Sequence, residues 1–138
     1  RTRNRETRET RVRAVPRADR ETEAALRRLI NDSFPDHGII GEEYGAENDD
    51  AEFIWVLDPI DGTISFINGV PLFTTIVGLL KDGLPWFGLV DQPVLKDRWA
   101  GGAGHSTTLN GQPAAVRLPL SPATDRSRPP SPRRYASG

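Results

Sequence analysis

Several residue types that often build functional sites are missing or scarce in this sequence of 138 residues. It has no cysteine and no methionine, and its only histidines are His37 and His105. The absence of cysteine excludes disulfides, thiolate metal sites and catalysis by a cysteine nucleophile. Each histidine stands apart from any matching nucleophile, which argues against a histidine-based catalytic relay.

Long hydrophobic runs are also missing. No stretch approaches the roughly 18 apolar residues that a transmembrane helix requires, so we predict no membrane partner. The arginine-rich N-terminus is followed by no apolar segment of the kind that secretory signals contain. We therefore expect a cytoplasmic protein.

Charge is distributed unevenly along the chain. The net charge is −1, but residues 15–116 carry an excess of Asp and Glu, whereas residues 1–14 and 117–138 carry an excess of Arg. An acidic body argues against a nucleic-acid partner and suits a cation site. Because both ends are poor in apolar residues, we predict a disordered basic leader over 1–14 and a disordered Pro/Arg/Ser-rich tail over 117–138. Residues 15–116 are then the folded domain.

Residues 19–32 are predicted to form a helix. Asp19 is suited to be its N-cap, and apolar residues recur at helical spacing behind it. Glu23 and Arg27 are four residues apart, so they can form a supportive ion pair on the helix surface.

Several short apolar runs predict strands. Ile39 and Ile40 predict one that ends in a turn. The runs Leu72–Leu80 and Leu84–Val90 flank Asp82-Gly83, a strong hairpin signal. A third antiparallel strand is predicted to begin at residues 98–100.

The most informative stretch covers residues 53–66, Phe-Ile-Trp-Val-Leu-Asp-Pro-Ile-Asp-Gly-Thr-Ile-Ser-Phe. Its five leading apolar residues predict a buried strand. We expect this strand to end at or near Asp58, because Pro59 cannot donate to a sheet ladder. A short helix should follow over residues 62–67 and end at Gly69.

This stretch places two carboxylates, Asp58 and Asp61, beside the start of a helix. Two carboxylates on a tight turn can share a hard cation such as Mg²⁺, which prefers oxygen ligands. A helix start that carries Gly62 and Thr63 favours an anion such as phosphate. Asp-Pro and Asp-Gly alone are ordinary turn dipeptides. Together, directly after a buried strand, they favour metal-assisted hydrolysis of a phosphate ester.

Residues 55–66 resemble the central motif of the inositol monophosphatase family of Mg²⁺-dependent phosphatases. Gly41-Glu-Glu-Tyr-Gly45 resembles the Gly-Glu-Glu motif of that family. Gly69-Val-Pro-Leu72, Asp91-Gln-Pro93 and Arg98-Trp99 are more similar to its histidinol-phosphatase branch. The resemblance covers about residues 15–116, the N-terminal half of the family's fold.

The resemblance implies a layered α/β fold, with helices packed on a largely antiparallel sheet. It implies hydrolysis of a phosphate monoester of a small metabolite, with Mg²⁺ or Mn²⁺ as the cofactor. It also implies a homodimer for the intact family. The metal ligands that it assigns are the side chains of Glu42, Asp58 and Asp61 and the carbonyl of Ile60.

The resemblance assigns further roles around these ligands. Thr63 and Glu42 would activate the attacking water, and the amides of Gly62 and Thr63 would hold the phosphate. Glu43 would support the site. Asp19, within Val15-Pro-Arg-Ala-Asp19, matches a family Asp that contacts the motif Thr and acts in catalysis; the alternative is a plain helix cap.

Two alternatives stay open. A haloacid-dehalogenase-type phosphatase also ends a strand in carboxylates, but it requires Asp-x-Asp, whereas Asp58 and Asp61 give Asp-x-x-Asp. The second alternative is a catalytically inactive remnant or regulatory fragment. The Trp-Asp motif of the family's second half does not occur in this sequence. We therefore expect an incomplete fragment that is weak or inactive as an enzyme on its own.

Overall fold

A computed structural model describes residues 2–115 of the chain. The described residues form two helices, α1 (Thr2–Ser33) and α2 (Thr63–Asn68), and one eight-stranded sheet. The tail predicted over residues 117–138 lies outside the described residues, so its disorder stays a prediction.

Helix α1 is much longer than predicted. It begins at Thr2, includes Pro16, and makes residues 2–14 helical, so the prediction of a disordered leader was wrong for them. Asp19 lies inside the helix and is not its N-cap. Val15, Asp19 and Glu23 follow one another at four-residue spacing, and all three are buried. Hydrophobic periodicity missed this face because two of its members are carboxylates.

The sheet confirms the predicted fold class. Its strands lie in the order β2-β1-β3-β4-β5-β6-β7-β8, and every neighbouring pair is antiparallel except β1 with β3. Their bounds are β1 Gly38–Gly41, β2 Gly45–Glu47, β3 Phe53–Asp61, β4 Thr74–Lys81, β5 Leu84–Gln92, β6 Asp97–Gly102, β7 His105–Leu109 and β8 Gln112–Pro113.

Two hairpins have two-residue turns, and the first is the one predicted from the sequence. Asp82 and Gly83 join β4 to β5, and both have positive φ, 49° and 74°. Asn110 and Gly111 join β7 to β8 with φ of 51° and 78°. Two-residue turns of this kind match the twist of the flanking strands, which is why Asp-Gly and Asn-Gly predict them.

The core lies between α1 and the centre of the sheet. Ile30, Ile39 and Leu57 are buried together. Burying each of these side chains stabilises the fold by about 1.5–3 kcal/mol. Leu57 directly precedes Asp58, so the same packing that stabilises the domain fixes the position of the carboxylate.

Strand β3 does not end at Asp58 as predicted. It continues through Pro59 to Asp61. Asp58 lies opposite Ile76 and Asp61 lies opposite Thr74, so β3 has one residue more than β4 between these pairs. Such a bulge leaves a residue out of the ladder, and this is where a sheet tolerates a proline.

Candidate active site

Two acidic residues meet at one edge of the sheet because β1 and β3 run parallel. Gly41, the last residue of β1, lies opposite Leu57 of β3. The next residues, Glu42 and Asp58, therefore lie side by side just beyond the last β1–β3 pair. Asp61 ends β3 on the same edge. We refer to Glu42, Asp58 and Asp61 as the carboxylate edge.

The start of β4 holds the bulged end of β3. The Thr75 hydroxyl donates to the Pro59 carbonyl at 2.8 Å, and the Thr74 hydroxyl donates to Asp61 Oδ2 at 3.4 Å. Neither threonine was predicted to have a role at the site. The signal was the pair of hydroxyl side chains at the start of the strand that follows the motif.

Helix α2 begins beside the carboxylate edge. Gly62 has a left-handed conformation, with φ 87° and ψ 37°, and a Cβ there would lie 2.8 Å from the Leu72 carbonyl oxygen. The first helical hydrogen bond joins the Phe66 amide to the Gly62 carbonyl at 3.1 Å. The Thr63 amide therefore lies ahead of the helical hydrogen-bond ladder. Gly69 ends the helix in the left-handed conformation, as predicted.

The hydroxyl of Thr63 has a different partner from the one that the resemblance implied. It donates to the Ile60 carbonyl at 3.1 Å. A hydroxyl has one proton, so Thr63 does not donate to Asp19 in this arrangement. The oxygen of Thr63 keeps its lone pairs for a further donor, such as a water molecule.

Asp58 is the least compensated polar group of the carboxylate edge. Within the described residues its Oδ1 atom is buried and has no hydrogen-bond partner. Burial raises the pKa of Asp58, and the nearby Glu42 and Asp61 raise it further, against a smaller lowering by the Ile60 amide. A buried carboxylate oxygen without a donor is costly unless a cation or a proton reaches it.

Asp19 belongs to the same electrostatic neighbourhood although it comes from α1. Asp19 is only 9% exposed to solvent. Burial raises the pKa of Asp19 to about 6, and the charges of Glu43, Glu42, Asp58 and Glu23 contribute in that order. The fold therefore brings Asp19 to the carboxylates that the two motifs supply.

The carboxylate edge has the donor chemistry that Mg²⁺ prefers. Its side chains offer only oxygen atoms, and the charges of Glu42 and Asp61 help to raise the pKa of Asp58, an effect that a bound cation would oppose. In the part of the chain that the structure describes, no three His, Asp or Glu side chains already converge as a metal cage. The residues fit a cation that keeps part of its water shell and gathers the exposed Glu42.

The turn that bears Glu42 is held by a side chain that was not predicted to contribute to the site. Glu23, predicted only to form a surface pair with Arg27, is fully buried and accepts the backbone amides of Glu43 and Tyr44. Glu43, predicted to support the site, forms an ion pair with Arg20 at 3.1 Å. The available signal was the spacing of Asp19 and Glu23, which puts both on one helix face.

Relatives in other organisms share the sequence of the described domain. The chain is 48% identical over 102 residues to the bifunctional phosphatase IMPL2 of Arabidopsis thaliana, covering 72% of this chain and 30% of that protein. It is 38% identical over 99 residues to the histidinol-phosphatase of Mycobacterium tuberculosis, covering 70% of this chain and 38% of that protein. The chain thus spans less than half the length of these relatives.

Solved structures support the same relationship. An inositol monophosphatase from Anabaena superposes with a TM-score of 0.70 and 37% identity, over 72% of this chain and 40% of that chain. The residues matched by the model of the inositol monophosphatase family are 1–135. That family differs from the haloacid-dehalogenase alternative, and it agrees with the two motifs. The chain belongs to the inositol monophosphatase family.

Proposed function

We propose that this chain supplies the cation-binding and phosphate-binding half of a Mg²⁺-dependent phosphate monoesterase. The observation that carries the proposal is the Asp58 carboxylate, whose buried Oδ1 atom lacks a partner and which lies next to Glu42 and Asp61. A bound cation would offset the cost of burying an unpartnered carboxylate oxygen beside two other negative charges. Mn²⁺ would suit the same oxygen donors.

The proposed ligands are the carboxylates of Glu42, Asp58 and Asp61 and the carbonyl of Ile60. The Ile60 carbonyl accepts one hydrogen bond from Thr63, and a carbonyl oxygen has two lone pairs, so one is left for a cation. A bound Mg²⁺ would polarise the phosphate and its attacking water as a Lewis acid.

The remaining chemistry belongs to side chains and amides of this chain. The Thr63 oxygen and the exposed Glu42 carboxylate can both accept protons of a water molecule and orient it toward phosphorus. The Gly62 and Thr63 amides, at the start of α2, can hold phosphate oxygens. Asp19, beside Glu42 and Asp58, would adjust the charge of the site.

The proposed substrate is a small phosphorylated metabolite. Histidinol phosphate is the first candidate, because one relative is a histidinol-phosphatase and because residues 69–72, 91–93 and 98–99 resemble that branch. Inositol monophosphate is the second candidate, after the Anabaena neighbour. For the intact protein we propose a homodimer, as the resemblance implies.

A second candidate is a cation-binding fragment with little catalysis of its own. It is favoured by the coverage, since the chain spans 30% and 38% of the length of two relatives. It is also favoured by the lack of a preformed three-ligand cage within residues 2–115. In this case the missing part of the fold would complete the ligand set.

Calorimetry with Mg²⁺ and Mn²⁺ tests the proposal directly. We expect weak binding by the 1–138 chain that is lost in Asp58→Asn and kept in Asp49→Asn, which removes the same charge from an exposed loop. Equal binding by the wild type and Asp58→Asn would refute the metal assignment. An assay with histidinol phosphate and inositol monophosphate then separates an enzyme from a binding fragment.

A further inference from the structure

Helix α1 inserts a buried carboxylate beneath the turn that carries Glu42. Glu23 is 0% exposed. One carboxylate oxygen accepts the Glu43 amide at 2.8 Å, and the other accepts the Tyr44 amide at 3.2 Å. We refer to residues 42–44 as the glutamate turn, and its backbone is thus bonded twice to one side chain.

Arg27 completes the arrangement on the other side of Glu23. Its Nε atom donates to Glu23 Oε1 at 2.8 Å, and its side chain is only 12% exposed. The same guanidinium pairs with Glu47 at 3.2 Å and donates to the Gly45 carbonyl. It also lies 5.9 Å from the centre of the Tyr44 ring. Arg27 therefore joins Glu23 to the segment that follows the glutamate turn.

Gly41 leaves the space that Glu23 occupies. A Cβ at residue 41 would lie 2.0 Å from Glu23 Oε1, which no pair of atoms tolerates. Gly41 lies within strand β1, where an ordinary residue can adopt the backbone conformation. The glycine of the Gly-Glu-Glu motif is thus required by the approach of the Glu23 carboxylate rather than by its own dihedral angles.

A buried charge of this kind stays in place only if its hydrogen bonds are satisfied. Glu23 has two backbone donors and one charged donor, so its desolvation is offset where it lies. If the carboxylate is lost, two amides of the glutamate turn lose their acceptor and Arg27 loses its buried partner. The backbone conformation of the glutamate turn is then no longer stabilised by these hydrogen bonds.

We propose that Glu23 is a positioning residue for Glu42: its buried carboxylate, supported by Arg27 and admitted by Gly41, fixes the backbone of the glutamate turn and so the place of Glu42 beside Asp58. This inference rests on the proposed function only in that Glu42 is taken to be a metal ligand. The control of the turn by Glu23 can be measured without metal.

The first test is amide hydrogen exchange by NMR in the metal-free 1–138 chain. Glu23→Gln keeps the size of the side chain but replaces one of the two oxygens that accept the backbone amides with an NH₂ group, which cannot accept. We expect the Glu43 and Tyr44 amides to exchange at least ten times faster, while amides of β4 and β5 keep their protection. Glu21→Gln is the matched control, because it removes the same charge from an exposed pair with Arg17 on the same helix.

The second test is cation affinity by calorimetry. Supporting partners of metal ligands commonly change affinity by about 10–100-fold, and we expect Glu23→Gln to weaken Mn²⁺ binding within that range. Gly41→Ala should do the same by displacing the carboxylate. The double variant should bind no more weakly than either single one, since both remove one interaction. Glu21→Gln should bind within about twofold of the wild type, because Glu21 is exposed and its carboxylate pairs with Arg17.

The outcomes separate this inference from the proposed function. Unchanged exchange at Glu43 and Tyr44 in folded Glu23→Gln overturns the inference, and so does unchanged affinity when Asp58→Asn has lost binding. If wild type and Asp58→Asn bind equally, the metal assignment fails and the exchange data alone decide the role of Glu23. If Glu23→Gln does not fold, the same measurements on Gly41→Ala decide it.

Discussion

Replacing Asp19 with asparagine should make the metal-free protein more stable at neutral pH. Asp19 is buried in α1, and its pKa is raised to about 6 by burial and by the charges of Glu43, Glu42, Asp58 and Glu23. An unfolded chain leaves this carboxyl near its ordinary pKa of about 3.9. Folding therefore requires an ionised Asp19 to enter a place that disfavours its charge.

The sign and size of the effect follow from this difference. Below about pH 4 the carboxyl is protonated in both the folded and the unfolded state, so it imposes no penalty. As the pH rises from about 4 to about 6 the penalty develops, and above that it is complete. About two pKa units correspond to about 3 kcal/mol. Since part of the raised pKa of Asp19 comes from neighbouring charges rather than from burial alone, we expect a gain of about 1–3 kcal/mol for Asp19→Asn at pH 7.5.

Urea unfolding at several pH values between 4.5 and 8 measures this gain. The difference in unfolding free energy between Asp19→Asn and the wild type should be small at the lowest pH and reach a plateau above about pH 6.5. Asp32→Asn is the control, because it removes an exposed carboxylate from the same helix. An Asp19→Asn variant less stable than the wild type at pH 7.5 would show that the carboxylate stabilises the fold.

Three further predictions concern the metal, the activity and the core. Mg²⁺ should raise the melting temperature of the wild type but not of Asp58→Asn, because only the former keeps the ligand set. The 1–138 chain should hydrolyse histidinol phosphate slowly or not at all, since losing one charge-stabilising group typically lowers the rate by about 10²–10³; turnover of several per second that Asp61→Asn abolishes would contradict this. Leu57→Ala should lower the unfolding free energy by about 2–5 kcal/mol in urea unfolding, whereas Val94→Ala, at an exposed position, should change it by less than about 0.5 kcal/mol.

Hydrophobic pattern and turn chemistry predicted the elements that carry the two motifs. The buried strand before Asp58, the short helix that Gly69 ends and the Asp82-Gly83 hairpin all follow from local preferences, and the structure contains each of them. Local rules failed at Pro59, where the bulge opposite β4 allows the strand to continue. A bulge is created by two strands together, so one strand's sequence does not reveal it.

The start of helix α1 was also predicted incorrectly. Arginine-rich composition predicted a disordered leader, and Asp19 was an attractive N-cap, yet the helix begins at Thr2. A helix face is recognised by its apolar residues. Here Asp19 and Glu23 share the buried face with Val15, so a pattern of hydrophobic residues could not reveal it. Neither helix within residues 2–115 has the length and hydrophobicity needed to span a bilayer.

The sequence alone determined that Asp58 and Asp61 come after five apolar strand residues and before the start of a helix, because these neighbours are joined by local chain geometry. Only the tertiary structure decided that Glu42 and Asp19 join them, because the parallel pairing of β1 with β3 and the docking of α1 act between distant segments. It also decided that Glu23 is buried. A carboxylate can leave water only where donors from another segment meet it, and those donors are the amides of the glutamate turn.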